Sequence, residues 1–299
     1  MKTFLWSLFF KHYPGKIFYA LCMNQRDIKE RVFLESDSRK TEVSERHSIV
    51  CQTPFCIAVR SETRIPDGAK SRLIVEVDDR PVASMHLKLL FRLPEANESI
   101  HVFQITDASC FQLNFFQQYL LLRHKFKNAK HPYLESKIYA ALYSYPKRVI
   151  IVSFRNDDYY NIFPMDFQGF YPEENLYLLG LRTTNITLKK IIEFKRVVVS
   201  DFEIRDIKTI YDLGAHHGSQ PPKIDDLPFA VYESEMLKFP VPEFATGYKE
   251  LEIIGHQNLG SHTLLIGKII HLKKIKDPLL TFYHVHYFEQ SHVNYTGAS

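Results

Sequence analysis

The sequence predicts a mainly β chain with some helix. An N-terminal α+β domain is expected over residues 1–135, and a second, β-rich domain over residues 136–299. Three observations carry this. The length of 299 residues sets a prior of one or two domains, each able to bury a core. The chain holds 23 Phe and 17 Tyr, residues that suit a pleated, half-buried surface. Its apolar residues fall into short runs, either alternating or continuous, bounded by turn residues. Hydrophobic residues at 45% and charged residues at 24% fit an ordinary globular protein. The same aromatics can fill a core or wall a pocket for a flat ring.

From the N-terminus, Met1 to Phe10 is apolar but short, and Lys11-His12-Tyr13-Pro14 ends it. No small-residue cleavage site follows, so a signal peptide is not expected. No segment reaches the roughly 20 apolar residues needed to span a bilayer. A cytoplasmic protein is the expectation. Asn24 to Arg31 mixes charges at short spacing and predicts a helix, and Glu35 to Arg46 predicts a polar loop. Strands are expected over 47–59, 72–77, 82–93 and 99–105, with turns at Asp67-Gly68 and Asp78-Asp79. Phe111, Phe115, Tyr119 and Leu122 are spaced by three and four, which predicts a helix capped by Asp107 or Ser109. Tyr133 to Tyr143 predicts another, stopped by Tyr145-Pro146, and the domain boundary falls near 128–134.

Further on, Arg148 to Phe154 is a continuous apolar run and reads as a buried strand. Leu176 to Leu181 reads as another. Leu188, Ile191 and Ile192 stripe a short helix that Asn185 or Thr187 can cap, and Val197 to Phe202 returns as a strand. Residues 203–245 are expected as a long functional or covering loop. Lys249–His256 and His262–Ile275 flank Asn258-Leu259-Gly260-Ser261 as a hairpin, and 283–288 forms a last strand. No internal repeat is visible.

The net charge of +4 is scattered, without the basic tract that nucleic-acid binding needs. Cys22, Cys51, Cys56 and Cys110 complete no zinc spacing and read as reduced thiols. His216-His217 and the strand pair His284 and His286 are metal candidates, but no carboxylate or Cys lies near them in sequence. No dinucleotide fingerprint, Walker loop or serine-nucleophile motif is present. What remains is Arg182-Thr183-Thr184-Asn185-Ile186-Thr187 at a helix start, where free N–H groups, hydroxyls and a guanidinium can cradle a phosphate. The same residues also cap ordinary helices, so both readings stand. Asn161 to Gly169 breaks regular pairing at Pro164 and Gly169, leaving backbone groups that can read a ring edge or simply form a turn. His262, just past the hairpin turn, can face a ligand or bond backbone.

Gly260-Ser261-His262-Thr263-Leu264-Leu265-Ile266-Gly267 resembles the Gly-Asp-His-x-x-x-x-Gly hallmark of the flavin reductase-like family, the FMN-binding split β-barrels. Val149–Val152 with Asn161 and Pro164-Met165 resembles its opening strand pair. Leu179-Gly180-Leu181-Arg182 with Thr187 resembles its next strand and phosphate turn. The likeness covers about residues 136–299. It implies a C-terminal split barrel binding FMN, with NAD(P)H as hydride donor to the flavin: an NAD(P)H-dependent flavin reductase. Asn161, Phe163, Pro164 and Met165 would line the ring. Arg182, Thr183, Thr184, Asn185 and Thr187 would lie near the phosphate, and His262 near the reacting end. A homodimer with flavin close to the subunit interface is implied, and a small-molecule acceptor or a partner oxygenase would take the electrons. Ser261 stands where the family usually has Asp, and Asp166 and Phe167 stand where small hydroxyl residues are common. The alternatives are a flavin-binding protein without reductase turnover and a non-enzymatic interaction protein.

Overall fold

The computed structural model describes residues 18–37, 39–97, 99–118, 132–157, 159–203, 207–214, 220–286 and 295. Strands dominate. A first antiparallel sheet is built from β2 (Arg31–Ser36), β3 (Arg39–Glu42), β4 (His47–Gln52), β5 (Phe55–Arg60), β6 (Ser71–Val77), β7 (Arg80–Arg92) and β8 (Ile100–Cys110). A second contains β10 (Ile150–Arg155), β11 (Tyr160–Met165), β12 (Gln168–Tyr171), β13 (Leu176–Arg182), β14 (Arg196–Phe202), β17 (Ala245–Asn258) and β18 (His262–Lys274).

The two sheets share one topology. The first runs β3-β2-β6-β7-β8-β5-β4 and the second β11-β10-β14-β17-β18-β13-β12. Numbered from its own first strand, each reads 2-1-5-6-7-4-3. The absence of a visible repeat is therefore corrected: the chain repeats a strand order that its residues do not advertise. The connections hide it. The fifth and sixth strands are joined by Asp78-Asp79 in one sheet, both at positive φ as a tight hairpin requires. In the other sheet the same link is residues 203–244. That stretch is not the plain loop expected. It holds a short helix, Ile207–Gly214, and a two-stranded ribbon of β15 (Val231–Glu233) and β16 (Pro240–Pro242).

A third, small sheet joins the halves. β19 (Thr281–His286) lies between β1 (Phe18–Met23), which precedes the first sheet, and β9 (Lys147–Arg148), which precedes the second. Helix α1 (Pro132–Leu142) packs on β8, and α2 (Thr187–Phe194) follows β13. The helix of residues 207–214 is α3.

Several local expectations change. Asn24 does not open a helix, because its side chain accepts from the Arg26 amide and makes a single 3-10 turn. Arg31–Ser36 then alternates, with Val32 and Leu34 buried. The polar stretch expected as a loop holds β3, an edge strand whose outward residues need not be apolar. Among the described residues of 18–110 there are strands and 3-10 turns but no α-helix. Helix begins at Phe115, and Tyr119 and Leu122 lie outside the described residues. Pro164 does not break pairing, since β11 is an edge strand where proline is tolerated and Pro164 sits opposite Ile151. Among the described residues no helix is long and apolar enough to cross a membrane.

The halves meet along a seam. β4 packs against β12, β13 and β18. Val50, Cys51, Cys56, Ala58, Ile100 and Val102 share one buried cluster with Tyr171, Leu176, Leu178, Leu264 and Ile266. Polar groups cross as well: the Arg60 Nε donates to Glu174 Oε1 at 2.5 Å, and Ser48 Oγ lies 2.9 Å from the Tyr171 hydroxyl. At Gly180 the two backbones come so close that a Cβ would sit 2.4 Å from the Val50 carbonyl oxygen. Gly180→Ala should therefore destabilise the fold by about 1–3 kcal/mol through overpacking, read as a lower midpoint in denaturant. An unchanged midpoint would mean that the strands part without cost.

Candidate functional site

The turn after β13 and the β17–β18 turn lie side by side on this seam. Arg182 stands opposite His262 in the β13–β18 register. The Thr183 amide donates to the Ser261 carbonyl at 3.0 Å. Ser261 is held from the other half: its amide donates to the Thr53 carbonyl at 2.8 Å, and the Thr53 amide donates to its hydroxyl at 2.8 Å. Gly260 permits this approach, at φ +120° and with the Thr53 carbonyl 2.4 Å from any Cβ it carried.

His262 is only 3% exposed. Its Nδ1 lies 2.8 Å from the Ser261 hydroxyl, and its ring stacks on Phe167 with centroids 4.9 Å apart and planes at 28°. Ser261 thus supplies a hydrogen-bond partner that orients the histidine. Phe167 is the stacking platform.

The sequence-predicted residues divide into three groups. Arg182, Thr183 and Thr184 are exposed at the turn. Among the described residues the Arg182 guanidinium has no hydrogen bond or ion pair, while its charge pulls down on the Tyr139 and Tyr143 hydroxyls. Asn161, Asn185 and Thr187 are buried and bound to one another. Asn161 Nδ2 donates to Thr187 Oγ1 at 2.8 Å, Tyr159 approaches the same oxygen at 2.8 Å, and Asn185 Oδ1 accepts from the Thr187 amide at 2.8 Å. This cluster closes the start of α2 from within. Among the described residues Asn161 Oδ1 is left buried without a partner. Phe163 and Met165 lie in the main core, and half-buried Pro164 lies against Gly214 of α3.

Two constellations escaped the sequence reading. Cys51 and Cys56 are cross-strand partners on β4 and β5. Both are buried free thiols, and Cys51 Sγ is 3.6 Å from the Ser261 hydroxyl. A hydrogen bond between the thiols holds Cys51 below its ordinary value against the upward push of burial, with His262 and Ser261 adding to it, and drives Cys56 up. The signal available was Thr53-Pro54, a turn that sets its flanks opposite each other. The second is Asp166, whose Oδ2 accepts from the Tyr143 hydroxyl at 2.8 Å and lies 2.9 Å from His284 Nδ1. Burial works to raise this carboxyl, but the His284 and Tyr143 hydrogen bonds leave it lowered. His284 is thereby engaged, and it also stacks on Tyr211 at 6.0 Å. His216 and His217 lie outside the described residues. Among the described residues no group of three or more His, Cys, Asp or Glu gathers to hold a metal.

No protein-family model matches the chain, and no curated protein does. Solved structures do. An FMN-binding protein from Thermus thermophilus with bound 1-cyclohex-2-enone aligns at 19% identity and TM-score 0.39, covering 44% of this chain and 72% of that one. The NADH:FAD oxidoreductase SgcE6 of Streptomyces globisporus aligns at 16% and 0.41, covering 46% and 81%. The flavoredoxin of Desulfovibrio vulgaris (Miyazaki F) aligns at 21% and 0.39, covering 44% and 70%. Each overlap takes in less than half of this chain, so no ligand or residue role is transferred from them.

The two polar groups at the turn separate in stability. Thr187→Ala strands the buried Asn161 amide and should cost about 1–3 kcal/mol. Arg182→Ala, at an exposed side chain, should stay within about 0.5 kcal/mol. Parallel thermal unfolding of the two variants checks this.

Proposed function

We propose that this chain is a flavin-binding oxidoreductase, holding FMN along the seam and receiving hydride from NAD(P)H. The observation that carries the reading is Arg182: a cation with no hydrogen bond or ion pair among the described residues, placed beside His262 and Phe167 at the junction of two sheets of equal topology. The sequence likeness puts a flavin phosphate at that turn. A free guanidinium with exposed Thr183 and Thr184 beside it fits a phosphate monoester. Asn185, Thr187 and Asn161 support the turn by bonding one another rather than the ligand. The fit is poorer at the ring end, where Phe163 and Met165 are spent on the core, and Phe167 with His262 offers the aromatic surface instead.

When bound, the flavin supplies the two-electron chemistry, and the protein supplies position and water exclusion. Arg182 would anchor the phosphate. His262, with Nδ1 tied to Ser261, would present a fixed ring edge. The likeness implies a subunit interface at such a site, and in this reading the first sheet of the same chain would take that place. A homodimer is then not needed to complete it, and the FMN reading favours a split-barrel arrangement for each sheet.

Titration with FMN, followed by quenching of flavin fluorescence, should give saturable binding. Arg182→Ala should weaken it about 10- to 100-fold, the loss expected for one charge-assisted hydrogen-bond pair. Unchanged affinity in that variant would remove the phosphate assignment. NADH or NADPH oxidation by the FMN-loaded protein tests turnover, and saturable binding without oxidation would reduce the function to flavin binding.

A further inference from the structure

A cavity of about 420 Å3 opens between the halves, walled by β4 on one side and by β9 and the β12 region on the other. Its chemistry centres on Lys147. This side chain comes from β9 and is only 7% exposed. Its Nζ lies 2.7 Å from His47 Nε2, on β4 of the other half. His47 Nδ1 faces the Val43 carbonyl at 2.9 Å, so Nδ1 carries the ring proton and Nε2 accepts from the lysine.

Two other cations of this wall have a carboxylate. Arg148 and Lys249 share Asp201, at 3.2 and 2.6 Å. Among the described residues Lys147 has no carboxylate within ion-pair distance. Asp166, the acid facing it from the β11–β12 turn, already serves Tyr143 and His284. The Tyr145 ring, 5.0 Å from Nζ, covers another side. An ammonium buried without a counter-ion is costly, so the proton is lost readily. Burial lowers Lys147 to about 7, with Asp166 opposing. Burial and Lys147 together hold His47 well below its ordinary value. Near neutrality much of the amine is a free base facing an open cavity, with a neutral imidazole in contact.

We propose that Lys147 is an imine-forming lysine and that the cavity receives a small aromatic aldehyde. The Nζ lone pair adds to the carbonyl carbon. One N–H proton passes by way of His47 Nε2 to the carbonyl oxygen, giving a carbinolamine. Loss of that oxygen as water leaves the C=N bond, so one water is released and no electrons are exchanged. The Tyr145 ring and the Phe170 ring of the wall favour a flat, apolar substituent on the aldehyde. This reaction needs no flavin and stands apart from the seam turn at Arg182.

The test is reductive trapping. The full chain, without flavin, is incubated with benzaldehyde and cyanoborohydride at pH 7, and the benzylated peptides are quantified by mass spectrometry. Lys147 should be labelled at least about tenfold faster than exposed lysines such as Lys208. Lys147→Arg should lose that fast label while surface labelling is unchanged, and His47→Gln should slow it. Formaldehyde, as a smaller probe, should show the same order. If neither aldehyde modifies Lys147 faster than Lys208 in the folded protein, the proposal fails.

Discussion

The approach of the two sheets at Gly180 and Val50 is the constraint on which the rest depends. Only a residue without a Cβ lets the β13 backbone lie against the β4 backbone. That approach sets the buried cluster of Val50, Ala58, Leu178 and Leu264, and it brings Thr53 within reach of Ser261. The two turns that border the candidate site are therefore clamped across the seam. His262 owes its place to the same clamp, because the hydroxyl that meets its Nδ1 is itself fixed by the Thr53 amide. The Arg60–Glu174 pair reinforces the contact. Both side chains are largely shielded, and Ser99 gives the carboxylate a further donor. In a shielded pair, removing one partner would leave an uncompensated charge.

Buried polar groups elsewhere follow one economy. Asn161, Asn185 and Thr187 bond one another beneath the turn after β13, and among the described residues the Arg182 guanidinium takes no part in that cluster. Asp166 is satisfied by Tyr143 and His284, and among the described residues Lys147 is left without a carboxylate. In each place the completion of one polar cluster leaves a neighbouring cation uncommitted. Such cations are where anions or electrophiles would act.

Much of the strand pattern was legible. The runs at 72–77, 176–181 and 197–202 and the hairpin around Asn258–Ser261 lie where alternation and turn residues put them. The helix near 133–143 did too, because proline ends it. Edge strands were not legible. β3 is polar and β11 contains Pro164, since neither is flanked on both sides and so neither must read as apolar. The candidate site was legible in part. Arg182 and His262 are neighbours, as their motifs suggested, but Asn161 and Thr187 face inward. Cap and ligand donor use the same residue types, so only burial distinguishes them.

Periodicity and turn chemistry are local properties, and they were enough to establish a mainly β chain and most of its strands. Strand order is not local. That residues 31–110 and 150–274 repeat one arrangement, 2-1-5-6-7-4-3, follows from which strands pair, and pairing depends on contacts far apart in the chain. The meeting of Cys51 with Ser261 and of His47 with Lys147 has the same origin. Each joins residues more than ninety positions apart, through a seam that exists only once both sheets have formed and packed.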